Sequence, residues 1–392
     1  MSEQLAHYPA SATINLEALT RNAKRMRQFA PNARHMGIVK ADAYGHGRTS
    51  IAAALAKAGY DILGIAQLGE ALKERRALDA AGHKNVAIFS WMLPPADEKA
   101  IQEALAARIE LSASTIDQLE RIANTGIEAR VHLKVDTGMG RGGATPADFP
   151  ALANAASRME TVNVVGVWSH FARADELGEE ARAATLKQIQ LFEDAVSAAT
   201  EAGLTGFQRH IAATSGQIWY PEAHYDMVRD GIGLYGLSPD PSNTPTLDLG
   251  FEPIMTLGAR LLQVKQVEAG QTVSYGGTWQ APTRRWLGLV PLGYGDGIPR
   301  HAQNAGPVSV YTAAGRIDTH MVGRVCMDQF VIDLGESDEA PAAVGDEVVL
   351  FGNPNNPDTK GCPTADDWAD VAGTINYEIV TRLGARVPRA YS

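Results

Sequence analysis

Met36-Gly37-Ile38-Val39 is a short apolar run, and Lys40-Ala41-Asp42-Ala43-Tyr44-Gly45-His46-Gly47 follows it without a gap. The run is continuous rather than alternating in hydrophobicity, which is typical of a parallel strand buried on both faces. The glycines that follow predict a loop at the carboxyl end of this strand. Similar runs recur along the first two thirds of the chain, at residues 62–66, 86–90, 109–112, 131–135, 162–168, 209–213 and 227–228.

Between these runs lie amphipathic patterns of helical period, at residues 16–29, 70–81, 115–123 and 179–202. Asn15 precedes the first of them as a candidate N-terminal cap. Strands that alternate with helices in this way predict a (β/α)8 TIM barrel, a fold that typically takes about 250 residues. A doubly wound open sheet has the same alternation, so the pattern leaves that architecture as an alternative.

The sequence changes character at residues 238–243, where Ser-Pro-Asp-Pro-Ser-Asn interrupts the alternation. Beyond it, short strand-like runs are separated by glycine and proline turns, which predicts a mostly-β domain. We therefore expect an α/β protein with an N-terminal barrel over residues 10–240 and a C-terminal β domain over residues 241–392, and Met1–Pro9 is a candidate to pack with the second domain. The predicted strands of the C-terminal β domain are residues 257–267, 272–275, 286–289, 308–311, 316–319, 329–334 and 347–351. Residues 353–367 are predicted to form a surface loop.

The composition excludes several classes of protein. The chain has 392 residues, 45 of them acidic and 35 basic, for a formal net charge of -10. Hydrophobic residues at 45% and charged residues at 20% indicate a folded globular protein rather than a disordered one. The acidic balance argues against nucleic acid, and against an anionic membrane surface, as the main partner. Two cysteines, no long apolar run and no signal-peptide core in residues 1–10 predict a cytoplasmic enzyme without a disulfide framework.

Lys40 is the first candidate for chemistry. In a TIM barrel the active site lies at the carboxyl ends of the strands, and Lys40 follows the end of a predicted strand. A lysine amine that is partly removed from water has a lowered pKa and can act as a nucleophile toward an aldehyde. The alternative is a lysine that reaches solvent from the end of a strand, as most lysines do.

Two other patterns raise different chemistry. Residues 138–143, Gly-Met-Gly-Arg-Gly-Gly, formally match the dinucleotide-binding pattern GxGxxG. They follow the fifth predicted strand rather than the first, and Pro146 and Pro150 interrupt the segment where a phosphate-binding helix would run. The ten histidines include no HxH or HExxH pair and the chain has no CxxC, so the sequence predicts no metal site.

Eight segments, spread over almost the whole chain, carry a resemblance to a known family. They are Lys-Ala-Asp-Ala-Tyr-Gly-His-Gly at 40–47, Lys-Val-Asp-Thr-Gly-Met-Gly-Arg at 134–141, Ser-His-Phe-Ala at 169–172, Met-Val-Arg-Asp-Gly-Ile-Gly-Leu-Tyr-Gly at 227–236, Val-Ser-Tyr-Gly at 273–276, Gly-Tyr-Gly-Asp-Gly at 293–297, Gly-Arg-Val-Cys-Met-Asp at 323–328 and Thr-Ile-Asn-Tyr-Glu at 374–378. In this order they resemble the alanine racemases, which are pyridoxal-phosphate enzymes built from a barrel and a β domain. The resemblance implies an isomerase that interconverts L-alanine and D-alanine and supplies D-alanine for peptidoglycan.

The resemblance also implies which residues bind the cofactor, pyridoxal 5'-phosphate. Lys40 is the attachment site. Hydroxyl groups and backbone N–H groups would bind the phosphate, since glycine lets the backbone come close to an anion. The residues that match these roles are Tyr44, Ser215, Tyr377, Gly231 and Ile232. Without the resemblance, the glycines of residues 231–233 are equally typical of a plain turn.

By the same resemblance, Arg229 faces the pyridine nitrogen of the cofactor. An arginine does not give up its proton, so this nitrogen would stay unprotonated. The ring is then a weaker electron sink than one paired with a carboxylate, which would restrain side reactions such as transamination. Taken alone, Arg229 beside Asp230 also fits a surface arginine.

Racemisation requires proton removal from one face of Cα and proton return on the other, so two acid–base groups are expected. The resemblance assigns the D-face proton to Lys40 and the L-face proton to Tyr275. A free phenol has a pKa of about 10, so Tyr275 needs positive charge or hydrogen bonds nearby to act as a base. His170 matches a histidine that the family places beside this tyrosine, and a buried histidine with a purely structural role is the alternative.

Arg141 is the candidate for the substrate carboxylate, because a guanidinium can bind a carboxylate through two parallel hydrogen bonds. The resemblance implies that a carbamylated Lys134 fixes this arginine. Carbamylation would convert a cation to an anion and so turn repulsion between the two side chains into attraction. The alternative is an unmodified Lys134 paired with Asp136.

In the family, residues of the β domain reach the cofactor of a partner chain. The matching positions here are Tyr275, Tyr294 and the backbone N–H of Met327, with Asp328 as a supporting residue. The resemblance therefore implies an obligatory homodimer whose active sites are shared between the chains.

Two other functions stay open. A non-catalytic pyridoxal-phosphate carrier would keep the lysine but would not need the β domain. A racemase for serine or larger amino acids would keep the chemistry, although Tyr294 and Tyr377 match the pair that narrows the entrance in the family and favours alanine. Gly295, Thr214 and Ser169 stand where alanine, asparagine and threonine are common in the family, and these departures bear on fine specificity.

Overall fold

Eight parallel strands form one sheet in which each strand lies beside its neighbour in the chain. The computed structural model describes residues 7–95 and 97–392. Within them the chain forms two units: the barrel unit, residues 19–43 and 48–251, and the β unit, residues 7–18, 44–47 and 252–392. The strands of the barrel unit are Arg34–Ile38, Ile62–Gln67, Ala87–Met92, Ile109–Ala113, Ala129–Lys134, Val162–Trp168, Gln208–His210 and Met227–Asp230.

The sheet of the barrel unit closes on itself. Its first strand, Arg34–Ile38, pairs in parallel with its last strand, Met227–Asp230. On its other side, the Arg229 N–H donates at 3.0 Å to the carbonyl of Ala212, just past the seventh strand, and the Asp226 N–H donates at 3.3 Å to the carbonyl of Arg209 within that strand. A doubly wound sheet would instead reverse its strand order partway across. The predicted TIM barrel is therefore confirmed, and the open-sheet alternative is wrong.

Helices alternate with these strands, as the amphipathic patterns predict. They are Leu16–Phe29, Arg48–Lys57, Leu68–Ala80, Glu98–Ala106, Ile116–Ala123, Phe149–Ala156, Glu179–Glu201 and Thr214–Trp219. The side chain of Thr115 caps one of them by accepting a hydrogen bond from the Gln118 N–H. In the part of the chain that the structure describes, no helix has the length and apolar character needed to cross a membrane.

The barrel strands are buried on both faces, which explains why their apolar runs do not alternate. Three polar side chains nevertheless lie in the barrel interior: Glu110, His132 and His210, which are exposed by 3%, 1% and 0%. Because a buried polar group is costly without hydrogen-bond partners, these three positions indicate more than a packing role.

The chain leaves the first barrel strand through a left-handed turn. The φ angles of Ala41, Asp42, Ala43 and Tyr44 lie between 52° and 55°. Each non-glycine residue in this conformation costs roughly 1–2 kcal/mol, so surrounding contacts must hold the turn. Arg48 supplies them: its N–H donates to Asp42 Oδ1 at 2.8 Å, and its guanidinium pairs with two glutamates of the next helix.

The β unit is built on a nine-stranded sheet. In order across the sheet its strands are Gln263–Val267, Arg285–Val290, Phe330–Gly335, Gly315–Val322, Pro307–Thr312, Glu347–Phe351, Met255–Arg260, Ala10–Ile14 and Arg389–Tyr391. A two-stranded ribbon, Thr272–Val273 with Trp279–Gln280, completes it. The predicted C-terminal mostly-β domain is therefore confirmed.

Two local predictions in the β unit are wrong. The single strand predicted over residues 257–267 is two strands, because the chain changes partners at Leu261: Met255–Arg260 pairs with Glu347–Phe351, whereas Gln263–Val267 pairs with Arg285–Val290. The loop predicted over residues 353–367 contains the start of a helix, Ala365–Ala372. Thr364 and Asp367 cap this helix reciprocally, and the capping pattern was missed within a polar segment.

The limits of the two units can be compared with the predicted domains. Residues 241–251 group with the barrel unit, and the strand Ala10–Ile14 pairs with Met255–Arg260 of the β unit. The predicted packing of Met1–Pro9 with the β domain falls partly on residues 1–6, which lie outside the described residues; Pro9 itself accepts a hydrogen bond from the Arg260 N–H at 2.9 Å. The domain boundary predicted between residues 240 and 241 stays a prediction.

Candidate active site

The carboxyl ends of the barrel strands gather basic side chains at one end of the barrel. Lys40 follows the first strand, Lys134 ends the fifth, His170 follows the sixth and Arg229 lies in the last. Arg141 is close enough to affect the titration of the lysines, His170 and Arg229. We call these five residues the barrel-end cluster. Its location is that of the active site in TIM-barrel enzymes.

The barrel-end cluster lowers the pKa of its own amines. Burial, and then the charges of Arg141 and Arg229, lower the pKa of Lys40. The same causes, in the same order, lower the pKa of Lys134 to about 8, against a smaller opposing effect of Asp136. An amine with a lowered pKa has a larger neutral, nucleophilic fraction near neutral pH. Because it also contains the two arginines, the cluster is a local positive site on a chain whose net charge is -10.

Arg229 is buried rather than a surface arginine. Its Nη1 lies 3.1 Å from His210 Nδ1, and its Nη2 lies 2.9 Å from His170 Nδ1. The guanidinium also donates to the backbone carbonyls of Ser169, His210 and Ile211 at 2.8–3.1 Å. Burial, and then the charge of Arg141, lower the pKa of Arg229 to about 9, so it stays protonated at neutral pH.

His170 is neutral and has a defined tautomer. Burial, and then the charges of Arg229, Arg141, and the two lysines of the cluster, hold the pKa of His170 well below its ordinary value. Arg229 can only donate, so His170 Nδ1 accepts and the ring proton lies on Nε2. The family resemblance placed His170 beside Tyr275, and the structure shows that it also contacts Arg229.

Three polar residues behind Arg229 were not recognised as a group from the sequence. His210 Nε2 lies 3.0 Å from His132 Nδ1, and His132 Nε2 lies 2.9 Å from Glu110 Oε2. They come from three different strands, so only the closed barrel brings them together. Their polar atoms face one another, and among the described residues no group of three His, Cys, Asp or Glu side chains could hold a metal ion.

The glycines of residues 138–143 shape the loop that carries Arg141. Asp136 Oδ1 accepts hydrogen bonds from the N–H groups of Gly138, Met139 and Gly140 at 2.9–3.1 Å. A Cβ at Gly143 would lie 2.5 Å from the Asp136 nitrogen, so only glycine fits there. The pattern that formally matched a dinucleotide site is therefore a tight turn that presents Arg141, which is exposed.

Thr214 organises the segment predicted to bind phosphate. Its Oγ1 accepts hydrogen bonds from the N–H groups of Gly231 at 3.0 Å and Gly233 at 3.5 Å. The Gly231 N–H is therefore already satisfied within the chain, which the sequence did not indicate. Ser215 is the next residue along the helix Thr214–Trp219 and is half-buried, and Ile232 begins a short turn after the last barrel strand.

The two tyrosines predicted to bind phosphate lie together in the β unit. The ring centroids of Tyr44 and Tyr377 are 6.3 Å apart. Burial raises the pKa of Tyr44, so its hydroxyl stays protonated. Tyr377 belongs to the helix Asn376–Thr381.

The other predicted residues of the β unit are exposed. Tyr275, Tyr294 and Met327 are exposed by 71%, 44% and 53%. We call these three the exposed group. Asp328 pairs with Arg386 at 2.8 Å, and the Gly295 N–H donates to the Met327 carbonyl at 2.9 Å, so this part of the backbone is ordered although the side chains are not covered. Large apolar side chains that are exposed together commonly mark an interface.

Comparison with known families accounts for both units. Residues 14–239 match the family "Alanine racemase, N-terminal domain", and residues 254–391 match the family "Alanine racemase, C-terminal domain". An alanine racemase of Streptomyces coelicolor is 46% identical over 390 residues, covering 97% of this chain and 95% of that protein. An alanine racemase of Mycobacterium tuberculosis is 38% identical and covers 97% of this chain and 96% of that protein.

Solved structures agree with the sequence comparisons. The structure of alanine racemase from Streptomyces coelicolor superimposes with a TM-score of 0.91 at 45% identity, covering 99% of both chains. That of alanine racemase from D-cycloserine-producing Streptomyces lavendulae gives a TM-score of 0.89 at 42% identity, covering 98% of this chain and 97% of the other. With matches over both units, and with identities this high over the full length, the chain belongs to the alanine racemase family.

Proposed function

We propose that this chain interconverts L-alanine and D-alanine with pyridoxal 5'-phosphate as cofactor, and so supplies D-alanine for peptidoglycan. The observation that carries the proposal is the barrel-end cluster: a lysine of lowered pKa lies among arginines and a neutral histidine at the carboxyl end of a TIM barrel. Full-length relatives named alanine racemase support the same activity. The donors of the chain fit an anionic cofactor with an aldehyde, because an amine nucleophile and cationic groups are both present.

When bound, pyridoxal phosphate supplies an aldehyde for amine exchange and a ring that accepts negative charge from Cα. Lys40 would bind the aldehyde and, once released by the substrate amine, would take or return the proton on one face of Cα. Its lowered pKa suits this role, because a base works best when its pKa lies near the operating pH. Arg229 would face the ring nitrogen and keep it unprotonated, since the guanidinium only donates.

The second base is Tyr275, which would act on the opposite face of Cα. Its exposure in a single chain supports the proposal that it serves the site of a partner subunit. Tyr294 and the Met327 N–H would reach the same site, with Asp328 supporting the segment through its ion pair with Arg386. The proposal therefore includes a homodimer whose two active sites each take residues from both chains.

Arg141 would bind the substrate carboxylate. Lys134 is suited to carbamylation, because its pKa of about 8 leaves part of the amine neutral at physiological pH and able to react with carbon dioxide. The modified side chain would be an anion beside Arg141 and would hold the guanidinium in place. Lys134 Nζ lies 4.5 Å from the ring centroid of Trp168, which already restrains its direction.

The cofactor phosphate would be bound by hydroxyl and N–H donors: Tyr44, Ser215, Tyr377 and Ile232, with Gly231 if its N–H leaves Thr214. All of these groups are neutral donors, which bind a phosphate through hydrogen bonds rather than through a full counter-charge. We also propose a cytoplasmic location, and that neither nucleic acid nor a membrane is a partner, in keeping with the acidic composition.

A chiral product assay tests the activity. Purified protein with L-alanine should form D-alanine, and added pyridoxal phosphate should raise the rate of partly unloaded preparations. In deuterium oxide the Cα proton signal of L-alanine should disappear. Bound cofactor without any exchange would contradict the racemase proposal and favour a cofactor carrier. Rates of D-product formation from alanine, serine and lysine rank the substrates, and a preference for lysine would contradict the assignment to alanine.

A further inference from the structure

A continuous line of hydrogen bonds runs from Arg229 into the barrel interior. Arg229 Nη1 lies 3.1 Å from His210 Nδ1, His210 Nε2 lies 3.0 Å from His132 Nδ1, and His132 Nε2 lies 2.9 Å from Glu110 Oε2. All four side chains are buried. We call them the buried relay. Its members other than Arg229 have no part in the function proposed above.

The two ends of the buried relay decide where every proton lies. Arg229 has only donors. Burial would raise the pKa of Glu110, but the hydrogen bonds from His132 and Arg130 and the charge of Arg130 outweigh it and lower that pKa to about 2, so Glu110 is a carboxylate with only acceptors. His210 Nδ1 must therefore accept from Arg229, and His132 Nε2 must donate to Glu110.

The hydrogen bond between His210 Nε2 and His132 Nδ1 then has only one possible donor and one possible acceptor. A neutral His210 carries its proton on Nε2 and donates to a neutral His132 Nδ1, which has its own proton on Nε2. A proton added to either ring, or moved to the other nitrogen, would make two donors face each other at 3.0–3.1 Å. Burial keeps both rings neutral by lowering their pKa values. Aromatic rings pack against them: the ring centroids of Phe89 and His132 are 4.4 Å apart, and Trp168 stacks on His210 at an interplanar angle of 3°.

We propose that Glu110 is a positioning residue that acts through His132 and His210 to present an acceptor to Arg229 and so fix the direction of its guanidinium. Its carboxylate sets the tautomer of both rings, and the second ring fixes Nη1 of Arg229. The consequence for the cofactor rests on the proposed function, because it assumes that Arg229 faces the ring nitrogen. The tautomers themselves need no cofactor.

The substitution Glu110→Gln tests the relay sharply because Arg130 controls how the new amide turns. Arg130 Nε donates to Glu110 Oε1 at 2.7 Å, so the amide oxygen of the glutamine should stay with Arg130 and its NH2 should face His132. That NH2 can only donate. The proton of His132 must then move to Nδ1, the proton of His210 must also move to Nδ1, and a donor will face Arg229 Nη1.

The measurement is a long-range proton–nitrogen correlation spectrum of cofactor-free protein with 15N-labelled histidine at pH 7.5. In the wild type we expect His132 and His210 to be neutral with the proton on Nε2, and in Glu110→Gln we expect both protons on Nδ1. Arg130→Gln is the matched control, because it leaves the carboxylate and should leave the tautomers unchanged. Glu110→Gln combined with Arg130→Met frees the amide to turn and should restore the wild-type tautomers.

Wild-type rings that are doubly protonated or carry the proton on Nδ1 would overturn the proposal, and this result does not depend on whether any variant folds. The loaded Glu110→Gln enzyme should lose about 10- to 100-fold in kcat, the effect of one charge-assisted hydrogen bond, with KM changed less than about threefold, and the double variant should recover. Inverted tautomers with unchanged kcat would overturn the link to Arg229. A protein that shows the expected tautomers but neither binds cofactor nor racemises alanine would instead contradict the proposed function.

Discussion

The barrel-end cluster and the exposed group hold the two halves of the proposed chemistry in opposite physical states. In the barrel, Arg229 and His170 are fixed by hydrogen bonds within the chain, and burial sets their protonation. In the β unit, Tyr275 and Met327 are more than half exposed. Arg229 and His170 are therefore held in place within one chain, whereas the side chains of Tyr275 and Met327 lie open to solvent. Under the proposed function, the folding of one chain would preorganise the cofactor half, and assembly would supply the second base.

Lys40→Ala should have the largest effect, because it removes the proposed base and the proposed attachment point together. We expect racemisation to fall by about 10³-fold or more, and cofactor absorbance fixed to the chain by borohydride to disappear. The measurements are the chiral assay and the absorbance of the reduced, denatured protein. Lys57→Ala, at an exposed helix end, is the control and should keep both. Fixed absorbance in Lys40→Ala would show that another lysine holds the cofactor.

Tyr275→Phe should lower kcat by about 10²- to 10³-fold, because it removes one acid–base group, while the cofactor absorbance stays as in the wild type. Tyr8→Phe removes another exposed phenol and should have no effect. Retained turnover in Tyr275→Phe would exclude it as a base.

Mixing the two defects tests directly whether the exposed group works on a partner. Lys40→Ala and Tyr275→Phe chains are each expected to be inactive alone. If each site takes Lys40 from one chain and Tyr275 from the other, a mixed dimer has one site with both defects and one intact site. Co-expressed chains, purified through two different tags, should then recover about half the activity of a wild-type dimer. No recovery in the mixed dimer would mean that both residues serve the same chain's site, and the contrast between the two regions would fail.

The sequence predicted the barrel strands because a strand buried on both faces is apolar throughout. For the same reason it could not reveal the buried relay. Glu110, His132 and His210 are single polar residues in three distant runs, and a run without alternation does not say which face a residue occupies. Strand Met255–Arg260 ends where the chain changes partners, a long-range event that hydrophobicity does not record. The hydrogen bonds of Thr214 to two glycine N–H groups likewise depend on backbone geometry.

Acid should destabilise the protein through its buried histidines. The pKa values of His132, His170 and His210 are lowered in the fold, so the unfolded chain binds protons that the native chain does not as pH falls through about 6.5. A ring that stays neutral in the fold contributes a loss of about 1.4 kcal/mol between pH 7.5 and 5.5. His35 offsets part of this, because hydrogen bonding and charge from Asp230 outweigh burial and raise its pKa, which adds stability at low pH.

Denaturant unfolding at pH 7.5 and 5.5 measures this effect, and the protein should be less stable at pH 5.5. His170→Asn should reduce the difference by about 1.4 kcal/mol, because its titration no longer contributes. His301→Gln, at an exposed position of the β unit, should leave it unchanged. A protein as stable at pH 5.5 as at pH 7.5 would contradict the neutral state of His132, His170 and His210.

Thr214→Val should have the smallest effect. Comparing its loss of stability with and without cofactor tests whether the Gly231 N–H binds the cofactor phosphate. Valine matches the shape of threonine, but the Gly231 and Gly233 N–H groups lose their shared acceptor inside the barrel unit. Unsatisfied buried donors cost about 1–3 kcal/mol, so the cofactor-free protein should lose that much stability. If the Gly231 N–H binds the cofactor phosphate, the loaded protein regains an acceptor and loses less. The increase in Tm on adding pyridoxal phosphate should therefore be larger for Thr214→Val than for the wild type, and Thr214→Ser, which keeps the hydroxyl, should match the wild type. An equal loss of stability with and without cofactor would mean that the Gly231 N–H has no part in binding the phosphate.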